Sequence, residues 1–373
     1  MKRALLFALI ILGIFSSHQG VLAAEMVMAL YVPGGALDVL EKRTAIKILL
    51  RDYDPNGVVI NLKDDSGNLL VDIDYFLRHL QEKGKFKKPY DRYVSEFKDL
   101  GTVVVCRLVV FKDLVYPRSH PRFALKNSKT KNLWKNHQGE HWVDPSDKEY
   151  QRYLLTIARL GMEAGCNEIN FDYVRFPNRG DGNTDQAEYP LFQGGHDANA
   201  RREVINGFLQ DAQRALGRNN LSAAVFGYAF STGRGVNIGQ DLADFARHLR
   251  YAAAMAYPSH WECTTFGFDD PNLHPYGVYK KAIADGLGYL KKHGMTMPVR
   301  PYIQAFDFTN THFYIQNSEC IKKKIKPTRV IYGRAKFRDQ IRAIEEFPQY
   351  QGWMAWNPSG VYSSTLFNSK RRP

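Results

Sequence analysis

Eight short apolar runs, each followed by a stretch of helical periodicity, recur along this chain, and that repetition leaves few architectures open. The runs lie near Met26–Val32, Gly57–Leu62, Thr102–Val110, Glu168–Phe176, Leu221–Tyr228, Ala252–Tyr257, Val299–Phe306 and Gly352–Trp356. Helical spacing fills the intervals at Leu37–Leu50, Ile73–Gln81, Tyr90–Leu100, Asp147–Ala164, Arg202–Leu216, Leu242–Leu249, Tyr276–Lys292 and Phe337–Phe347. Gly101, Gly165 and Gly294 stand where helices end, a position that suits a residue free to turn left-handed. Strand then helix, eight times over, predicts an α/β chain closed into a (β/α)8 TIM barrel with extended βα loops. A doubly wound open sheet is the competitor, but no G-x-G-x-x-G follows the first strand to mark a dinucleotide fold.

The fourth run, EINFDYVRFP, is the most unusual. Apolar Ile169, Phe171 and Tyr173 alternate with polar Glu168, Asn170 and Asp172 before Pro177 stops the segment. Alternation with period two gives a strand two different faces. In a closed parallel barrel the apolar face meets the surrounding helices, so the polar face points inward, where a carboxylate is costly unless used or paired. Asp172 is therefore the first candidate for chemistry, and neutralisation by Arg175 or another inward cation is the plain alternative.

Lys2 and Arg3 precede an uncharged apolar run from Ala4 to Phe15 and then the small residues around Ala23 and Ala24. That order predicts a secretory signal peptide over 1–24, shorter in its apolar part than a spanning helix of about 20 residues. The protein is thus expected to be secreted or periplasmic, with no membrane span once the signal is removed. A single barrel domain is expected over 25–366, with no linker composition to divide it, and a basic tail over 367–373. The formal net charge is +13, with clusters at 322–326 and 370–372. An exported basic chain is drawn toward anionic envelope polymers. No recognisable nucleic-acid module accompanies the charge, so nucleic acid is not expected as a partner.

Four cysteines occur, at 106, 166, 263 and 320, with no C-x-x-C spacing, so neither a metal nor another cofactor is expected. Cys263 and Cys320 both fall in loops after strands, where an exported protein permits a disulfide. Cys106 and Cys166 have opposite strand parity and are not expected to face each other.

In a barrel of this kind the site lies at the C-terminal strand ends. Read there, the second run ends in Asn61, Lys63, Asp64 and Asp65; the third carries Arg107; the fourth Asp172 and Arg175; the fifth Tyr228. The sixth is followed by Tyr257, His260 and Trp261, the seventh places Arg300, Tyr302 and Gln304 on one face with Asp307 just beyond, and the eighth brings Trp356 and Asn357. Aromatic faces stack on the apolar side of a pyranose ring, while carboxylates, amides and guanidinium groups bind hydroxyls. Packing in the core is the alternative for each ring taken singly.

The strings INLKDDSG, CRLVVFKD, EINFDYVRFP, AYPSHW, FGFDDPNLHPY, RPYIQAF and QGWMAWNPSGVY resemble, in order, those of the bacterial putative glycoside hydrolase domain family, a TIM-barrel group. The resemblance spans Met26 to Tyr362 and implies a carbohydrate-active enzyme. It also shows two departures, because Asn61 and Ala305 stand where that family usually carries Asp. The expectation is an exported glycoside hydrolase using Asp172 with Asp64 or Asp307 as the second carboxylate on an envelope or extracellular polysaccharide. Lys63, Arg107, Arg175, Tyr228, Tyr257, His260, Trp261, Arg300, Gln304, Trp356 and Asn357 would bind the glycan. A catalytically inactive glycan-binding barrel acting as an envelope adaptor is the alternative, and a barrel hydrolase or lyase on another substrate the third reading.

Overall fold

The computed structural model describes residues 26–71, 89–179, 181–311, 313–316, 319–322 and 325–370, with 313–316 described by their backbone. The signal peptide over 1–24, the helix expected at Ile73–Gln81 and residues 371–373 of the basic tail lie outside the described residues. Eight parallel strands form one sheet: β1 (Val27–Val32), β2 (Gly57–Lys63), β3 (Val103–Val109), β4 (Glu168–Asp172), β5 (Leu221–Phe226), β6 (Tyr251–Met255), β7 (Tyr302–Gln304) and β8 (Gly352–Trp356). They pair in chain order, and β8 also pairs with β1. The last gap, between β6 and β7, is bridged at Ala252 and Val299, where the Arg300 N–H donates to the Ala252 carbonyl at 3.0 Å. The ring is thereby nearly closed into the (β/α)8 barrel that the strand–helix repetition predicts.

Helices cover its outside: α1 (Leu40–Asp52), α2 (Tyr90–Lys98), α3 (Lys148–Glu163), α4 (Ala198–Leu216), α5 (Leu242–His248), α6 (Pro275–Lys292) and α7 (Arg334–Glu345). The start of α3 illustrates how the sequence sets these elements. The Asp147 carboxylate accepts from the Glu149 and Tyr150 N–H groups, satisfying donors a helix start leaves open. Tyr150, Leu154, Ile157, Ala158 and Gly161 then recur at helical spacing and bury one face.

Two layers of side chains result. Leu30, Val58, Ile60, Val104, Leu108, Ile169 and Phe171 point outward into the belt between sheet and helices. Val27, Ala29, Val59, Val105, Ala224, Ala253, Tyr302 and Met354 fill the barrel interior. Polar side chains are threaded through that interior in a chain. Tyr302 Oη donates to Asn170 Oδ1 (2.9 Å), Asn170 Nδ2 to Ser222 Oγ (2.7 Å), and Ser222 to Glu168, which Arg300 pairs at 2.8 Å. Each residue of that chain thus finds a polar partner, which offsets its desolvation.

Two expectations are corrected. Cys106 and Cys166 form a disulfide with a Cα separation of 5.9 Å. Strand parity does not reach Cys166, because β4 begins only at Glu168 and Gly165 (φ 101°) swings the preceding chain toward the helix layer. The fourth strand is also shorter than its alternation suggests, ending at Asp172 because Tyr173 turns left-handed at φ 51°. A second disulfide joins Cys263 to Cys320, Cα atoms 5.7 Å apart.

Gly352 opens β8 at φ 97°, and a Cβ there would fall on the Val27 backbone of β1. Strain and overlap act together at this seam. Gly352→Ala is expected to lower the unfolding free energy by about 3 kcal/mol, read from a denaturant titration, with an unchanged midpoint as the contrary result.

Candidate active site

A cavity of about 380 Å³ opens at the C-terminal mouth of the barrel, within the range of about 300–1,000 Å³ usual for ligand pockets. It is lined by Asp172, Arg107, Arg175, Tyr228, Tyr257, His260, Trp261 and Trp356, all anticipated from the strand ends. Asp65, Tyr173, Asn178, Asp181, Phe226, Met255 and Tyr302 join them.

Arg107 is its organising charge. From β3 it donates Nε and Nη2 to Asp172 Oδ2 at 2.9 and 2.7 Å, Nη2 to Asp65 Oδ1 at 2.9 Å, and Nη1 to Asn61 Oδ1 at 3.1 Å. Its guanidinium lies 5.0 Å from the Trp356 ring, which stacks on Tyr31 at 3.9 Å. Asp65 and Asp172 therefore reach one nitrogen, and their nearest oxygens are no farther apart than the sum of those two contacts. That limit falls short of the wider separation of about 6.5–9.5 Å that an inverting glycosidase needs between its carboxyl groups. The left-handed turn at Tyr173 aims its own N–H at Asp172 Oδ1, 2.7 Å away. A tyrosine held at positive φ is strained, and such strain concentrates at functional sites.

Electrostatics follow from the pairing. Burial works against the Asp65 anion, yet the charge and hydrogen bonds of Arg107 hold that carboxyl below its ordinary range. Asp181 behaves the same way: burial opposes its charge, and Arg175, at 2.6 Å, overcomes the effect. Desolvation among the neighbouring rings shifts the His260 imidazole below its ordinary value, although the residue stays open to solvent at the cavity mouth. Burial also raises the Tyr257 and Tyr302 hydroxyls well above their usual value, which keeps them protonated.

The aromatic wall is tied together by backbone and ring contacts. Tyr228 and Trp261 meet at 4.5 Å, and the Glu262 N–H donates to Tyr228 Oη at 3.0 Å. Tyr257 and His260 pack edge to face at 5.0 Å. Flat rings beside paired charges suit a sugar, which presents an apolar face and a hydroxyl edge.

Six residues expected at the site are placed elsewhere. A register shift between Asn61 and Lys63 at the end of β2 takes Lys63 out of the interior alternation; it is fully buried against Asp113 (3.0 Å) and carbonyls of the β3 loop. Asp64 closes the following turn by accepting from the Ser66 and Asn68 N–H groups. The neighbouring Asp65 reaches the cavity in its stead. Asp307 pairs with Arg329 at 2.6 Å and accepts from the Tyr332 N–H. Arg300 sits on Glu168, deeper in the interior chain. Gln304 spans between Ser259 and the Phe306 carbonyl, and Asn357 clasps its own turn through Val361 and Ser359 and ties that turn to the Ala305 carbonyl after β7.

Residues 29–362 match the family described as a putative glycosyl hydrolase domain. The chain belongs to that family. Among solved structures, the PgaB (BpsB) glycoside hydrolase domain of Bordetella bronchiseptica aligns over 90% of this chain and 95% of its own, at 12% identity and a TM-score of 0.58. Catalytic domain 2 of the Ostrinia furnacalis Group II chitinase covers 90% of both chains at 10% identity and a TM-score of 0.52. Both show a shared fold with this family member. A hypothetical protein from Ruminiclostridium thermocellum is 31% identical over 52% of this chain and 96% of its own, with a TM-score of 0.44. No curated protein matches.

Proposed function

We propose that this family member is an exported glycoside hydrolase acting on an envelope or extracellular polysaccharide, with Asp172 at the reacting carbon and Asp65 as the second carboxylate. The observation that carries the reading is the convergence of these two groups on one guanidinium inside an aromatic-walled cavity at the strand ends. Asp172, held on one oxygen by Arg107 and on the other by the Tyr173 N–H, is oriented to attack or stabilise a positively charged sugar. Asp65, a third exposed and next to the opening, would carry the proton to the leaving oxygen. The apolar leader and two disulfides support export, since disulfides persist in oxidising compartments.

A proton donor must be protonated to act, and Arg107 holds Asp65 below its usual range. Reducing-end release is therefore expected to be highest in acid and to fall about tenfold per unit as pH rises above about 4. A rate independent of pH from about 4 to about 7 would assign the donor to another group. The same clamp favours a second reading, in which the barrel binds glycan at neutral pH without cutting it, as an envelope adaptor; Asn61 and Ala305 at family carboxylate positions point the same way. Calorimetric binding of a polysaccharide with no reducing-end release at any pH between about 3 and about 8 would select it.

A further inference from the structure

A second opening lies on the excursion between β3 and α3. It is a shallow cleft of about 640 Å³, lined by Arg118, Lys135 and His141 together with Asn127, Thr130 and Asn132. From Leu114 to Gly139 the chain carries Arg118, Arg122, Lys126, Lys129, Lys131 and Lys135 and no Asp or Glu. Arg122 pairs with Glu149 and Lys131 with Glu188; among the described residues neither Arg118 nor Lys135 has a carboxylate partner. His141 is buried, and its Nδ1 donates to the Trp134 carbonyl at 2.9 Å, which orients the ring and leaves Nε2 as its other polar atom. Burial first, then the charges of Lys135 and Arg118, lower the proton affinity of that imidazole, so both cations act on one spot.

The cleft belongs to a βα connection and so to the same end of the barrel as the cavity. The segment that lines it is bonded to the loop that carries Asp181: the His137 N–H donates to the Asp181 carbonyl at 2.7 Å, and Trp134 Nε1 to the Asn183 carbonyl at 3.0 Å. One loop thus separates two openings, one lined by rings and carboxylates, the other by unpaired cations.

We propose that this cleft is a second binding site for the same polysaccharide, taking an anionic substituent, carboxylate or phosphate, on a sugar outside the cavity. The inference rests on the glycan reading of the cavity and narrows its substrate to an acidic polymer. Unpaired cations in a cleft at the same end of the barrel as the cavity attract and orient such a chain, and anion binding here needs no rearrangement of existing ion pairs.

The test uses the full chain carrying Asp172→Asn, so that binding is read without turnover. Its affinity is measured by calorimetry for polygalacturonate, poly(glycerol phosphate), neutral dextran and single-stranded DNA. At least one acidic polymer is expected to bind more tightly than dextran. Adding R118E and K135E should weaken that binding about tenfold, and R118Q with K135Q less so but in the same direction. K291E with K292E makes the same charge change at the exposed end of α6, on the far side of the barrel, and should change affinity less than about twofold. A response with polygalacturonate alone identifies carboxylate, and with poly(glycerol phosphate) alone phosphate. Equal losses from both charge reversals, dextran bound as tightly as the acidic polymers, or DNA bound as tightly and with the same sensitivity would overturn the proposal. Hydrolysis fails separately, if the wild-type chain binds an acidic polymer and releases no reducing ends from it.

Discussion

Asp172→Asn is expected to lower kcat/KM on a cleaved polysaccharide by about 10⁴-fold while leaving the fold in place. The amide oxygen still accepts from Arg107 or from the Tyr173 N–H, so the packing around position 172 survives with a stability loss of about 1–2 kcal/mol. What it loses is the negative charge at the reacting carbon, which neither amide atom replaces. Asp65→Asn is expected to follow it in direction, since that side chain takes the Nη1 and Nη2 edge of the same guanidinium. Asp64→Asn and Asp307→Asn serve as contrasts. Their carboxylates are committed to a turn and to Arg329, outside the cavity, so each should alter kcat/KM less than about threefold. Full activity in the Asp172 variant would remove it from the mechanism, and a large loss in the Asp307 variant would move the site toward the β7 loop.

That contrast also shows how far local pattern reaches in this chain. Strand existence and facing were legible wherever alternation was strict: Glu168, Asn170 and Asp172 all point inward and all are paired there. The aromatic rim followed from placing Tyr228, Tyr257, Trp261 and Trp356 at strand ends in a barrel. The failures share a different cause. One bulge at the end of β2 puts Lys63 outside the interior, leaves Asp64 to close a turn and brings Asp65 to Arg107, and nothing in INLKDDSG marks where the extra residue falls. Asp307 finds its cation 22 residues later, and Asp181 reaches the cavity because Arg175 draws its loop inward. Cys166 precedes the first residue of β4, beyond the reach of parity. Each miss is a long-range pairing or a register event, which local periodicity does not encode.

Arg107→Met is expected to be the most destabilising single change in the barrel interior, lowering the unfolding free energy by about 3–5 kcal/mol at neutral pH. Methionine keeps much of the stem's volume but removes every hydrogen bond to Asp172, Asp65 and Asn61, and leaves two carboxylates near each other without their cation. The sign of the pH dependence follows from Asp65. Its folded pKa is depressed by Arg107, so in the wild-type chain the stabilisation from that pair is present above the unfolded carboxylate value and is lost as pH falls through the lower folded value. In the Arg107 variant Asp65 loses the cation that depresses it and takes up its proton at higher pH than before, which relieves its repulsion with Asp172. The stability gap between the two chains should therefore be widest near neutrality and narrow steadily below about pH 4, measured as denaturation midpoints across that range. Adding Asp65→Asn and Asp172→Asn to Arg107→Met removes the stranded charges and should recover part of the loss. A gap that is constant with pH and unaffected by those additions would mean that Arg107 holds the barrel by the contact of its guanidinium with the Tyr31 and Trp356 rings, and that the paired carboxylates contribute little to holding the fold together.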